Sequence, residues 1–216
     1  MKNKYVYITA GEYFNRPIYL RGKIEEIYPH YQNLTFDLHL LVTEAPDDAE
    51  KYMPIYNDYR ERYGSSDIDV FTTAAKNSEA KNVFLNSFRQ EHFDYIAPFI
   101  KDKAEVLYLF KCPKIKDLSA LTEFSKLKCV VIFWNNTLEK LWDMKNNKDL
   151  KILSFDSITK LTDINSLKDT NVEYVSFDSR NNGGSRKEML FDRSVFDEMP
   201  NLKHLKLVYK SVYVDY

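Results

Sequence analysis

Beyond residue 100 the apolar positions recur in short blocks rather than along one helix face. Ala104-Glu105-Val106-Leu107-Tyr108-Leu109 is followed by Leu127-Lys128-Cys129-Val130-Val131-Ile132 and by Leu150-Lys151-Ile152-Leu153-Ser154-Phe155. Val172-Glu173-Tyr174-Val175-Ser176-Phe177 and Leu202-Lys203-His204-Leu205-Lys206-Leu207 complete five such blocks. Each is apolar at its first, fourth and sixth positions. The fourth positions (Leu107, Val130, Leu153, Val175 and Leu205) are spaced by 23, 23, 22 and 30 residues. A second set keeps step: Ile115, Leu138 and Leu161; Leu118, Leu141 and Ile164; Leu121, Met144 and Leu167. A fixed period of this length marks stacked supersecondary units, each leaving an apolar stripe bare until a neighbour covers it.

These blocks, in L-x-x-L-x-L form, resemble the strand segment of the leucine-rich-repeat family. Ile115-Lys116-Asp117-Leu118 and Leu161-Thr162-Asp163-Ile164 are similar to the short bacterial type, whose return segment is a helical turn. The resemblance covers about residues 104–209 and implies an α/β fold: a short solenoid with a parallel strand sheet on its concave face. The position after the strand that the family fills with Asn or Cys is Cys112, Asn135 and then Ile158. The buried hydrogen-bond ladder that such residues supply is therefore expected to be incomplete. The fourth unit carries about eight extra residues, placed between Arg180 and Ser194 with Gly183-Gly184 at the tip.

Residues 1–100 lack the period and are read as a small α/β domain capping the repeat domain of residues 101–216. Tyr5-Val6-Tyr7-Ile8 reads as a first strand, and Leu34, Phe36, Leu38 and Leu40 alternate as a half-buried strand does. Asp47 or Asp48 is a candidate cap for a helix through Tyr63, ended by Gly64. Ile68, Val70 and Phe71 suggest another short strand. Ser78 would cap a longer helix bearing Val83, Phe84, Phe88, Ile96, Phe99 and Ile100, kinked or ended at Pro98. Tyr13, Tyr19, Tyr28 and Tyr31, with Tyr5 and Tyr7, either line a pocket or pack with wet hydroxyls.

In the repeats, strand alternation assigns the positions between core residues to the inner face of the sheet. One column there is Val106, Cys129, Ile152, Tyr174 and His204, and the next is Tyr108, Val131, Ser154, Ser176 and Lys206. Phe110, Phe133, Asp156, Asp178 and Val208 follow, with Lys111, Trp134, Ser157, Ser179 and Tyr209 beside them. The face divides into an aromatic half and an acidic, hydroxyl-rich half. Tyr108, Phe110, Val131, Phe133, Trp134, Asp156, Tyr174, Asp178 and Tyr209 are therefore the candidate partner-binding residues. Three readings remain: a protein or peptide partner binds this face, the N-terminal hundred residues cover it, or two copies dimerise through it. An Arg or Lys of a partner would be the match for Asp156 and Asp178.

Charge and chemistry narrow the classes. With 31 Lys and Arg against 32 Asp and Glu, the chain lacks the basic excess of a nucleic-acid binder. No apolar run reaches membrane-span length. Cys112 is expected in the core and Cys129 on the exposed strand face; so few thiols favour a reducing, cytoplasmic setting. Neither a phosphate-cradling glycine loop nor metal-ligand spacing occurs among His30, His39, His92 and His204, so no cofactor, metal or catalytic residue is assigned. The expectation is a protein-binding repeat module. An inhibitor or immunity-type protein, a homodimeric structural protein, and an enzyme with its site in residues 1–100 are the alternatives.

Overall fold

The computed structural model describes residues 4–9, 38–44, 68–79, 81–180 and 185–215. Strands β1 (Lys4–Thr9) and β2 (Leu38–Glu44) come first, followed by helix α1 (Ile68–Asn77), β3 (Asn82–Asn86) and helix α2 (Gln90–Ile100). Then follow β4 (Val106–Phe110), β5 (Cys129–Phe133), β6 (Ile152–Asp156), β7 (Tyr174–Asp178), β8 (His204–Val208) and β9 (Tyr213–Asp215). Among the described residues, all nine strands lie in one sheet in sequential order. From β2 to β8 the pairing is parallel, and at each end one antiparallel strand borders the parallel stack. The fold is α/β.

The register carries the sequence period into space. Leu38, Val83, Leu107, Val130, Leu153, Val175 and Leu205 stand directly beside one another across seven strands. Two residues on, Leu40, Leu85, Leu109, Ile132, Phe155, Phe177 and Leu207 form a second row. Both rows are buried in the main core. The return segments add their own apolar rows, including Ile115, Leu138 and Leu161, and turn through 3-10 helices at Ser119–Glu123, Asn165–Leu167 and Arg193–Glu198.

Cys112 and Asn135 both bond to backbone carbonyls. The Cys112 thiol lies 3.4 Å from the Phe110 carbonyl oxygen and 3.6 Å from that of Leu85. Asn135 donates its amide to the Ile115 oxygen and accepts from the Thr137 and Leu138 N–H groups. Ile158 has no polar atom with which to continue.

The N-terminal part differs from expectation in two places. Residues 82–86 are strand rather than the start of a long helix. Val83, Phe84 and Leu85 are buried in a row, and a run buried on both faces of a sheet has no period to separate it from a helix. Val83 and Leu85 thus fill the fourth and sixth positions of a further unit ahead of the five. Ile68, Val70 and Phe71 begin helix α1 rather than a strand. Helix α2 runs past Pro98 to Ile100, the proline standing in its last turn. The first strand is found at β1, and β2 holds the Leu38 and Leu40 end of the second. The helix expected from Asp47 to Tyr63 and the residues Tyr13, Tyr19, Tyr28, Tyr31, Leu34 and Phe36 lie outside the described residues.

A polar row runs beside the apolar ones. The second position of successive units is Lys81, Glu105, Lys128, Lys151, Glu173 and Lys203. Glu105 is bridged by Lys81 at 3.0 Å and Lys128 at 2.6 Å; Glu173 is bridged by Lys151 at 3.0 Å and Lys203 at 2.8 Å. Each carboxylate thus ties its unit to both neighbours, at a modest gain because the lysines are partly in water.

Candidate functional site

The face opposite the main core is itself a core. Phe84, Val106, Tyr108, Cys129, Val131, Ile152 and Tyr174 form a second apolar cluster, with Phe110 and Phe133 packed against it. Cys129, Ile152 and Tyr174 are 0% exposed, and Tyr108 and Val131 are 5% exposed. Ser154, Ser176 and His204 are buried with them. The expectation of a bare inner face is therefore corrected for Tyr108, Val131 and Tyr174, and for Cys129. All are enclosed within the single chain. Strand alternation gives two faces, but it does not say which of them meets water. Burial raises the Cys129 thiol and the Tyr174 phenol above their ordinary values. Tyr174 stacks on His204 with ring centroids 4.9 Å apart.

What stays accessible lies along the carboxyl ends of the strands. Phe110 and Phe133 end β4 and β5, half-buried, their rings stacked at 5.1 Å. Ser87, Lys111, Trp134 and Ser157, each directly after a strand, adopt positive φ between 52° and 61°. This left-handed bend is unfavourable for residues bearing a Cβ. It is held each time by an N–H bond to the last carbonyl of the next strand, as in Lys111 to Phe133 and Trp134 to Asp156, both 2.8 Å. Trp134 is half-buried on this rim, and the Lys111 ammonium stands 5.1 Å from its ring and 5.3 Å from that of Phe110. Cation and aromatics attract through the ring quadrupole.

Next along the same row come Asp156 and Asp178, paired in register between β6 and β7. Ser157 donates its hydroxyl to Asp156. Asp178 already has its cations from this chain: Arg180 at 2.7 Å and Arg186, from the fourth-unit insertion, at 3.4 Å. The Asp178 carboxylate in turn holds the Arg180 guanidinium above its ordinary value. The partner arginine expected for Asp178 is thus supplied intramolecularly. Tyr209 is also placed differently. It packs into the main core against Phe191, with centroids 5.6 Å apart, because the chain turns directly after β8 through the Tyr209–Val212 backbone bond.

Of the nine candidate residues, Phe110, Phe133, Trp134 and Asp156 lie together on the accessible rim. Lys111 joins them; its position in the column beside Phe110 was the available signal. Among the described residues no three His, Cys, Asp or Glu side chains stand close enough to hold a metal, and no helix is long and apolar enough to cross a membrane. Comparison with protein families, curated proteins and solved structures found no match for this chain.

Proposed function

We propose that the chain is a leucine-rich-repeat-type solenoid that binds a protein or peptide partner at the rim formed by Phe110, Lys111, Phe133, Trp134 and Asp156. The observation that carries this reading is the half-buried Phe110–Phe133 stack at the strand ends, with the Lys111 ammonium over the Phe110 and Trp134 rings. Aromatic side chains with neighbouring charges are the usual anchors of protein interfaces. The solenoid part of the reading is supported by the seven-deep apolar rows in strict register. A reducing, cytoplasmic setting belongs to the same reading, with both thiols unpaired.

The test compares the wild-type chain with a Phe133→Ala/Trp134→Ala variant in affinity capture from native lysate, with melting curves run alongside. A partner held by the wild type and lost by a still-folded variant supports the rim. One retained equally by both overturns it.

A further inference from the structure

The fourth-unit insertion does more than lengthen a connection. Glu188, Met189 and residues 191–194 form one wall of a cleft of about 650 Å³ at the C-terminal end of the stack. Its floor is Leu205 and Leu207 of β8, and Val212 and Val214 flank it on the β9 side. β9 is the last strand of the sheet. It pairs with β8 through Leu207–Val214 and the residues on either side, and among the described residues no strand pairs with its outer edge. The opening carries the carboxylates Glu188, Asp192 and Asp197 against one guanidinium, Arg193. Asp192 is kept ionised by the Ser194 N–H it accepts.

We propose that this end of the sheet receives an extended segment of another protein, paired along the outer edge of β9. Its alternate side chains would be apolar and lie over the cleft, with lysines or arginines near the rim. Val214 stands beside Leu207 and lines the cleft, so strand periodicity puts every second residue of an added strand on that side. An edge strand offers the unpaired N–H and C=O groups that such addition uses. The acidic rim selects a basic segment. It also argues against a second copy, because a two-fold axis at β9 would bring Glu188, Asp192 and Asp197 against their own counterparts. The cleft volume lies in the range of pockets that hold a few large side chains.

The test uses a short fluorescent peptide alternating valine with lysine, a counterpart with glutamate for lysine, and one with proline at alternate positions. Binding to the full chain is read by anisotropy. The lysine peptide should bind saturably, and about tenfold or more weakly to a Glu188→Lys/Asp197→Lys variant. The glutamate and proline peptides should not bind. Both substituted side chains are exposed, so an unchanged melting temperature separates lost binding from lost fold. No saturable binding, equal binding to the variant, or equal binding of the proline peptide would overturn the proposal. So would a concentration-dependent dimer that Val214→Lys dissociates, which would assign the edge to a second copy.

Discussion

Phe110 and Phe133 lie stacked at the ends of neighbouring strands, their ring centroids 5.1 Å apart and their planes 13° from parallel. The same row continues as Asp156 and Asp178, so the strand ends pass from aromatic to acidic within one unit. A second stacked pair, Phe155 and Phe177, sits 4.7 Å apart inside the main core. The two stacks allow a direct comparison. Truncating a buried aromatic loses its transfer free energy and leaves a cavity, so Phe155→Ala should cost about 3–5 kcal/mol. A rim aromatic loses mainly its ring contact, and Phe133→Ala should cost about 0.5–1.5 kcal/mol. Urea unfolding of both variants checks this. Equal costs would make Phe133 a core residue and remove the basis for the proposed rim.

The parallel strands were legible because Leu107, Val130 and Leu153 repeat with a loop-to-loop constancy that side-chain packing enforces. The N-terminal strand β3 was not, since Val83, Phe84 and Leu85 leave no polar position to reveal a period of two. The burial of the second face has a signal in the sequence. Val106 to Phe110 and Cys129 to Phe133 are continuous apolar runs, as strands covered on both sides tend to be. The arginines of Asp178 were out of reach for a different reason. Arg186 meets Asp178 only once the insertion has folded back, as its bridge to Arg180 does here, and no periodicity describes that loop.

Asn135 should prove a costly residue to change although it has no place in the rim. Its buried side chain serves one carbonyl, at Ile115, and two N–H groups, at Thr137 and Leu138. Asn135→Ala leaves those groups without partners away from water, each worth about 1–3 kcal/mol when unsatisfied. A loss of at least about 2 kcal/mol in urea unfolding is expected. Asn135→Asp should fare no better, because it replaces the donor to Ile115 with a second acceptor. A near-neutral alanine variant would show that water fills the site.

Glu105 predicts a pH dependence with a definite sign. Its hydrogen bonds to Lys128 and Lys81 hold its carboxyl below the ordinary value. A group whose folded value is depressed stabilises the fold above its unfolded value, and that contribution is lost as pH falls through the folded one. Stability should therefore decline on acidification below about pH 4.5, the ordinary value. Glu105→Gln should flatten this part of the curve, by about 1 kcal/mol or less because both lysines are partly solvated. Chemical unfolding of both proteins between neutral and acid pH measures the difference. Parallel curves would show that the row of lysines and glutamates contributes no net stability.

The two thiols report separately on the two sides of the sheet. Burial pushes Cys112 up to about 12 in the main core, and it also raises Cys129 in the opposite cluster. Reactivity belongs to the thiolate, so neither should react with iodoacetamide in the native protein at pH 8. Labelling then requires opening. Among the described residues Cys129 lies in a cluster of seven buried side chains, whereas Cys112 belongs to the core that runs the length of the stack. Less buried apolar surface means a smaller free energy of opening, so Cys129 should be labelled first as urea rises. Pulse alkylation followed by mass spectrometry of the peptides containing each residue gives the order. Simultaneous labelling would instead show that both faces of the sheet unfold as one unit.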